Sequence, residues 1–465
     1  DNAAAATSTF TGAVVLGANV TIDGDKSAND SSISFTSTIN ADNSTTQARS
    51  LTLTGGTGSI TVSGNIGSGA NGQLDGGLTI SGGAINLQAI TTSGGAATEN
   101  AGLVNIDGSG AVTIAGTITA LGNTTGNGGA IDIDATGTNT ISVQAINASG
   151  DPAGNINLNT AGGTGTITLN GALTSAGADG SNITIGSAAI LGASLTFSTD
   201  ATASDGNVTI NGTLVGAANL TQDLTVTAGT GTVIFNNYVG TTAQENATTS
   251  TVRLRDISIT SGTLTINPDI NGAVTIGRNE ALSTDTFVAR SLVATATGAI
   301  TLGGTTGLGG DIILTGIAAT DSLDLTSSFG TSPNIAVNSN ILVSSGNIAL
   351  ESTSANDDIS IGVVGLPNVG DYAVNGNLIA ERRVRAVAGN ITTAVTGGSG
   401  NTFFVDSRSA GTGTVPVDGK NTVFEGNSVT VDAGSFGTNL TDTTFPHIFA
   451  TSIVANYTGD LALGS

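Results

Sequence analysis

The chain of 465 residues carries 34 Asp and Glu against 11 Lys and Arg, a formal net charge of −23, which excludes nucleic-acid binding by phosphate neutralisation. Charged residues make up only 10% and aromatics 3%, beside 69 Gly, so a solvated surface must come from Thr, Ser and Asn instead. Cys is absent, which fits an exported protein that avoids disulfide chemistry.

Residues 1–50 read as opening coils with one polar loop. Val14-Val-Leu and Val20-Thr-Ile come first, then a polar stretch from Asp23 to Ser32, then Ile33-Ser-Phe. Asp23, Asp25 and Asp30 cluster in that loop, and three carboxylates could hold a hard cation such as calcium. The spacing lacks the glycine and the bidentate glutamate of an EF-hand, and no Gly-Gly-x-Gly-x-Asp repeats occur. A solvated loop without metal is the expectation.

Residues 51–240 are the regular part. From Leu51 to Gly177 one phrase recurs five times, with a period of about 26 residues. Five columns stay aliphatic in every copy: Leu51/Leu78/Val104/Ile131/Ile156, Leu53/Ile80/Ile106/Ile133/Leu158, Ile60/Ile85/Val112/Ile141/Ile167, Val62/Leu87/Ile114/Val143/Leu169 and Ile66/Ile90/Ile118/Ile146/Leu173. Thr, Asn, Ser or Asp fills the positions between paired columns, so the local period is two, the mark of a half-buried strand. No strand pair here buries its apolar side alone; stacking like columns on like columns does. Three short strands per repeat, separated by Gly-rich corners, predict an all-β fold, a parallel β-helix. A propeller blade would be longer and antiparallel, with an aromatic signature. From Ile183 to Gly240 the register loosens, with a longer corner expected at Ser198–Asn207.

Residues 241–400 predict a less regular β-helix with insertions, its strands resuming as Ile300-Thr-Leu, Ile312-Ile-Leu, Leu323-Asp-Leu, Ile348-Ala-Leu and Ile359-Ser-Ile. Nine of the eleven basic residues follow residue 250. Arg253 and Arg255 alternate with Val252 and Leu254 and so share an outer face, and Arg382, Arg383 and Arg385 stand beside Glu381. Two readings follow: pairing with Glu381, Asp256 or neighbouring coils, or docking onto an acidic neighbour such as another copy. Residues 401–465 hold half of the Phe, including Phe403, Phe404, Phe445 and Phe449, and read as a closing or interface segment.

The phrases Gly165-Thr-Ile-Thr-Leu-Asn-Gly, Gly206-Asn-Val-Thr-Ile-Asn-Gly and Gly231-Thr-Val-Ile-Phe-Asn-Asn resemble large bacterial surface exoproteins, namely filamentous-haemagglutinin-type adhesins and autotransporter passengers. The resemblance implies a right-handed β-helix, secreted, serving adhesion, biofilm or surface coats, and it brings no catalytic residues. The first residue, Asp1, is not Met, and no apolar run of membrane-spanning length occurs, so a mature extracellular segment is expected. The expected partners are copies of the chain and cell-surface glycans.

The enzymatic alternative is a polysaccharide lyase or glycoside hydrolase, because glycosidic cleavage needs paired carboxylates. Asp357 and Asp358 are the best local pair, read as solvated corner residues. The single His447 lies in Phe445-Pro-His-Ile-Phe, away from any Gly-His-Gly or Arg-Ile-Lys segment. No catalytic site, cofactor or nucleic-acid partner is therefore expected. About a dozen Asn-x-Ser/Thr sequons, such as Asn19, Asn43, Asn182 and Asn207, are close to what chance gives in so Thr-rich a chain.

Overall fold

The computed structural model describes residues 6–266 apart from 27–28, 70, 238 and 241–252, then residues 287–302, and beyond 302 residue 328 and the strands up to residue 457. These residues are all β, with no helix among them: parallel sheets stack as a β-solenoid of ~27 residues per turn. They form two compact units, Asp1–Ala217 with Thr225–Gly231 and Ala218–Leu224 with Thr232–Ser465.

In the first unit most turns contribute a strand to each of three parallel ladders, called the first, second and third sheets. The first sheet includes Ser50–Thr54, Gly77–Gly82, Val104–Gly108, Ile131–Ala135, Ile156–Leu158 and Ile183–Ile185. The second has nine strands, from Thr7–Phe10 through Ile60–Val62 and Val112–Ile114 to Leu214–Gly216. The third is made of short pieces such as Ile90–Thr91, Ile118–Thr119, Ile146–Asn147 and Leu173–Thr174. Each strand pairs in parallel with its counterpart one turn on.

The register follows the aliphatic columns. Leu51 pairs with Leu78, Leu78 with Val104, Val104 with Ile131 and Ile131 with Ile156. Ile66, too short-stranded to extend, still bridges Ile39 and Ile90. Ile106, Ile114, Ile133, Ile141 and Ile156 are buried, while Thr113 between Val112 and Ile114 is exposed. Like side chains fall on like because a one-residue slip would turn every aliphatic residue outward. The longer corner expected at Ser198–Asn207 does not widen the turn: Ile156, Ile183 and Val208 stay in step, and the corner between Leu195–Ser198 and Val208–Ile210 is shorter than the one between Ile118–Thr119 and Ile131–Ala135.

The second unit is also parallel but divides its strands differently. Phe287–Ala296 is one strand of ten residues that pairs with two successors, Ile312–Leu314 and Asp321–Ser327. Thr232–Phe235, Thr263–Ile266, Ile300–Leu302 and Ile335–Val337 continue a separate column. The strand phrases at Ile300, Ile312, Leu323, Ile348 and Ile359 all lie in strands. Most of Thr241–Val288 lies outside the described residues.

Candidate functional site

Several ionisable side chains of the described residues sit where they tie one turn of the coil to the next. Asp30 shows how. Its Oδ2 accepts hydrogen bonds from the backbone N and Oγ1 of Thr57, one turn later, at 2.6 and 2.7 Å, while Oδ1 accepts from Lys26 N at 2.9 Å. These bonds, the Thr57 backbone foremost, lower its pKa to about 2. The carboxylate approaches so closely because residue 56 is Gly at φ 56°; a Cβ there would meet the Asp30 carboxyl group at 2.5 Å. Asp205 repeats the arrangement with Gly229 and Thr230, whose N and Oγ1 donate at 2.7 and 2.8 Å. Burial pushes the Asp205 carboxyl up, but these bonds and one from Ala201 hold it below the usual carboxylate range.

The neighbouring carboxylates of the polar loop take other partners. Asp23 Oδ1 accepts from Asp25 N at 2.9 Å, and the negative charge of Asp30 raises the pKa of Asp25. Among the described residues no group of three or more His, Cys, Asp or Glu side chains is placed to hold a metal ion. Residues 27 and 28 of this loop lie outside that set.

In the second unit the corner chemistry becomes an Asp–Arg staircase. Arg255 Nε donates to Asp223 Oδ1 at 2.7 Å and its Nη2 bonds Oδ2, a bidentate pair across 32 residues. Arg290 grips Asp256 in the same way across 34 residues, with Nε to Oδ1 at 2.8 Å and Nη2 on Oδ2. Ser291 Oγ also donates to Asp256 Oδ1 at 2.7 Å. The Arg255 guanidinium holds Asp223 below its ordinary pKa; for Asp256, burial works upward and the bonds from Arg290 and Ser291 outweigh it. Arg255 thus pairs along the coil stack. Arg253 offers its carbonyl oxygen to Leu220 N at 2.8 Å.

Two features escape alternation. Asn159 follows Leu158, so a period of two sends it outward, yet it is buried because its φ of 54° turns the chain inward. Its Nδ2 donates to Ser187 Oγ at 2.7 Å and Gly165 O at 3.2 Å, and its Oδ1 accepts from Ala135 N at 3.3 Å. Asp107, Asp132 and Asp134 form an acid-rich patch on the first sheet. Burial pushes the Asp107 and Asp132 carboxyls up, with the charge of Asp134 adding to each, and Asp132 Oδ1 is buried without a hydrogen-bond partner.

The other candidate residues are scattered. Arg383 and Arg385 lie in the strand Arg383–Val387, opposite Asn347 and Ala349. Phe403 and Phe404 lie in Thr402–Asp406, Phe403 opposite Phe436, and Phe449 lies in His447–Tyr457 opposite Glu425. Asp358 opens a strand and pairs with Asn390, and His447 pairs with Val423. Asp357, Arg382 and Phe445 lie outside the described residues. Among the described residues no helix is long and apolar enough to cross a membrane. No family profile, no curated protein and no solved structure matches the chain.

Proposed function

We propose that the protein is a non-enzymatic, secreted surface protein, structural and adhesive, whose copies associate into an extracellular filament, sheath or coat. The observation that carries this reading is how the polar side chains are used. Asp30 with Thr57, Asp205 with Thr230, Asp223 with Arg255 and Asp256 with Arg290 all join adjacent turns. Charge spent this way reinforces a stack. The likeness of the Gly-Thr-Ile-Thr-Leu-Asn-Gly phrases to β-helical surface exoproteins supports the same reading, with cell-surface glycans as the adhesive target.

Electron microscopy of the purified chain across a concentration series tests it, and ordered filaments or sheets are expected. Incubation with polygalacturonate and alginate should release no unsaturated or reducing ends. Product that disappears in Asp357→Ala and Asp358→Ala would establish a polysaccharide-cleaving enzyme instead.

A further inference from the structure

Between residues 50 and 217 the sequence contains Asp75, Glu99, Asp107, Asp132, Asp134, Asp151, Asp179, Asp200 and Asp205, and no Lys or Arg. All nine lie either in strands of the first sheet or in the loops that lead into them. The nine-stranded second sheet carries no charged residue in any strand, and from Gly55 to Asn219 its bordering corners carry none either; Asp223, in the corner after its last strand, is paired with Arg255. Its outward row runs Thr61, Asn86, Thr113, Ser142 and Thr168 in register, then turns aliphatic at Ile190 and Val215. Every one of these side chains is at least partly open to solvent.

Resting on the self-associating reading above, we propose that this uncharged sheet is the face through which two copies of the chain pack side by side. The occupant follows from charge. A chain of net charge −23 repels its own copies wherever acidic groups face each other, and this sheet is a side of the first unit where they do not. Area agrees. Nine strands at ~4.8 Å spacing give a face ~40 Å long, and with its corner residues roughly 20 Å broad, on the order of the 800 Å² per partner of a stable interface. Spacing agrees too. Two copies present the same short hydroxyl and amide side chains at the same interval, so their rows interdigitate without burying a charge.

Sedimentation of the full chain at low, physiological and high salt tests this. Association through an uncharged face of an acidic chain strengthens with salt, because screening removes the repulsion and weakens no attraction. Docking of arginines onto acidic groups would weaken instead. The double variant Thr113→Asp with Thr168→Asp should abolish lateral association. Thr79→Asp with Thr184→Asp makes the same charge change on the first sheet and should leave it intact, with both variants melting as wild type does. Salt-weakened assembly, or assembly indifferent to the Thr113 and Thr168 changes, overturns the face and leaves self-association standing. A wild-type chain that stays monomeric at every salt concentration overturns both. Loss of binding to an insoluble neutral polysaccharide in that double variant, with wild type monomeric, would make the face a glycan surface and also end the proposal.

Discussion

Ile133 and Thr113 show what alternation decides at a single position. Ile133 is fully buried, so Ile133→Asp places a charge where it has no partner and should cost about 3 kcal/mol or more. Thr113→Asp lies on the outer face and should shift stability by no more than about 0.5 kcal/mol. Urea midpoints of the two variants check the register directly; equal midpoints would contradict it. Asn159 is the residue where alternation misleads. Its side chain replaces a backbone partner for Ala135 N, while Gly165 O keeps the bond from Ser187 Oγ, so Asn159→Ala should leave the buried Ala135 N–H unsatisfied and cost about 1–3 kcal/mol. The positive φ adds strain for Ala that Asn tolerates. Asn159→Gly relieves the strain alone, so it should fall between wild type and Ala in thermal unfolding.

At the scale of elements, the first unit was legible because two periods coincide. Alternation marks each strand, and the ~27-residue turn repeats it, so Leu51, Leu78, Val104, Ile131 and Ile156 could be aligned by type alone. The second unit breaks the longer period. Phe287–Ala296 serves two columns at once, and Asp223 and Arg255 are 32 residues apart, a spacing no regular repeat would bring together. The sequence therefore marked Arg255 and Asp256 as neighbours, while the structure places Asp223 and Arg290 on the outer sides of that pair. Both bidentate pairs are only partly buried, with side-chain exposures of 39% and 30% for Arg255 and Asp223, so solvent screens them. Arg255→Lys, which keeps the charge but loses the two-pronged fit, should cost about 0.2–1 kcal/mol. Repeating the denaturation at high salt should shrink the difference.

At the scale of the whole molecule, the described carboxylates whose pKa values are shifted fall into two opposed sets. Asp25, Asp75, Asp107 and Asp132 have raised pKa values: the charge of Asp30 acts on Asp25, and burial on the other three. Each costs stability when charged, so stability rises as pH falls through its folded pKa and levels off below the ordinary value of 3.8. Asp30, Asp42, Asp205, Asp223 and Asp256 have lowered values, held down by Thr57, Arg49, Thr230, Arg255 and Arg290. Their contribution is complete above 3.8 and is lost as pH falls towards the folded value, about 2 for Asp30. The first set gains everything before the second begins to lose. The relief of self-repulsion as the net charge of −23 is titrated acts in the same direction as the first set. Stability should therefore peak near pH 3.8 instead of at neutrality. Denaturant titrations at dilute concentration from pH 7 to pH 2 measure it, and Asp132→Asn should remove part of the rise while Asp30→Asn removes part of the fall. A profile that declines steadily from neutrality would mean that the corner clamps outweigh the acid patch, and would reverse the assignment of which carboxylates govern the fold.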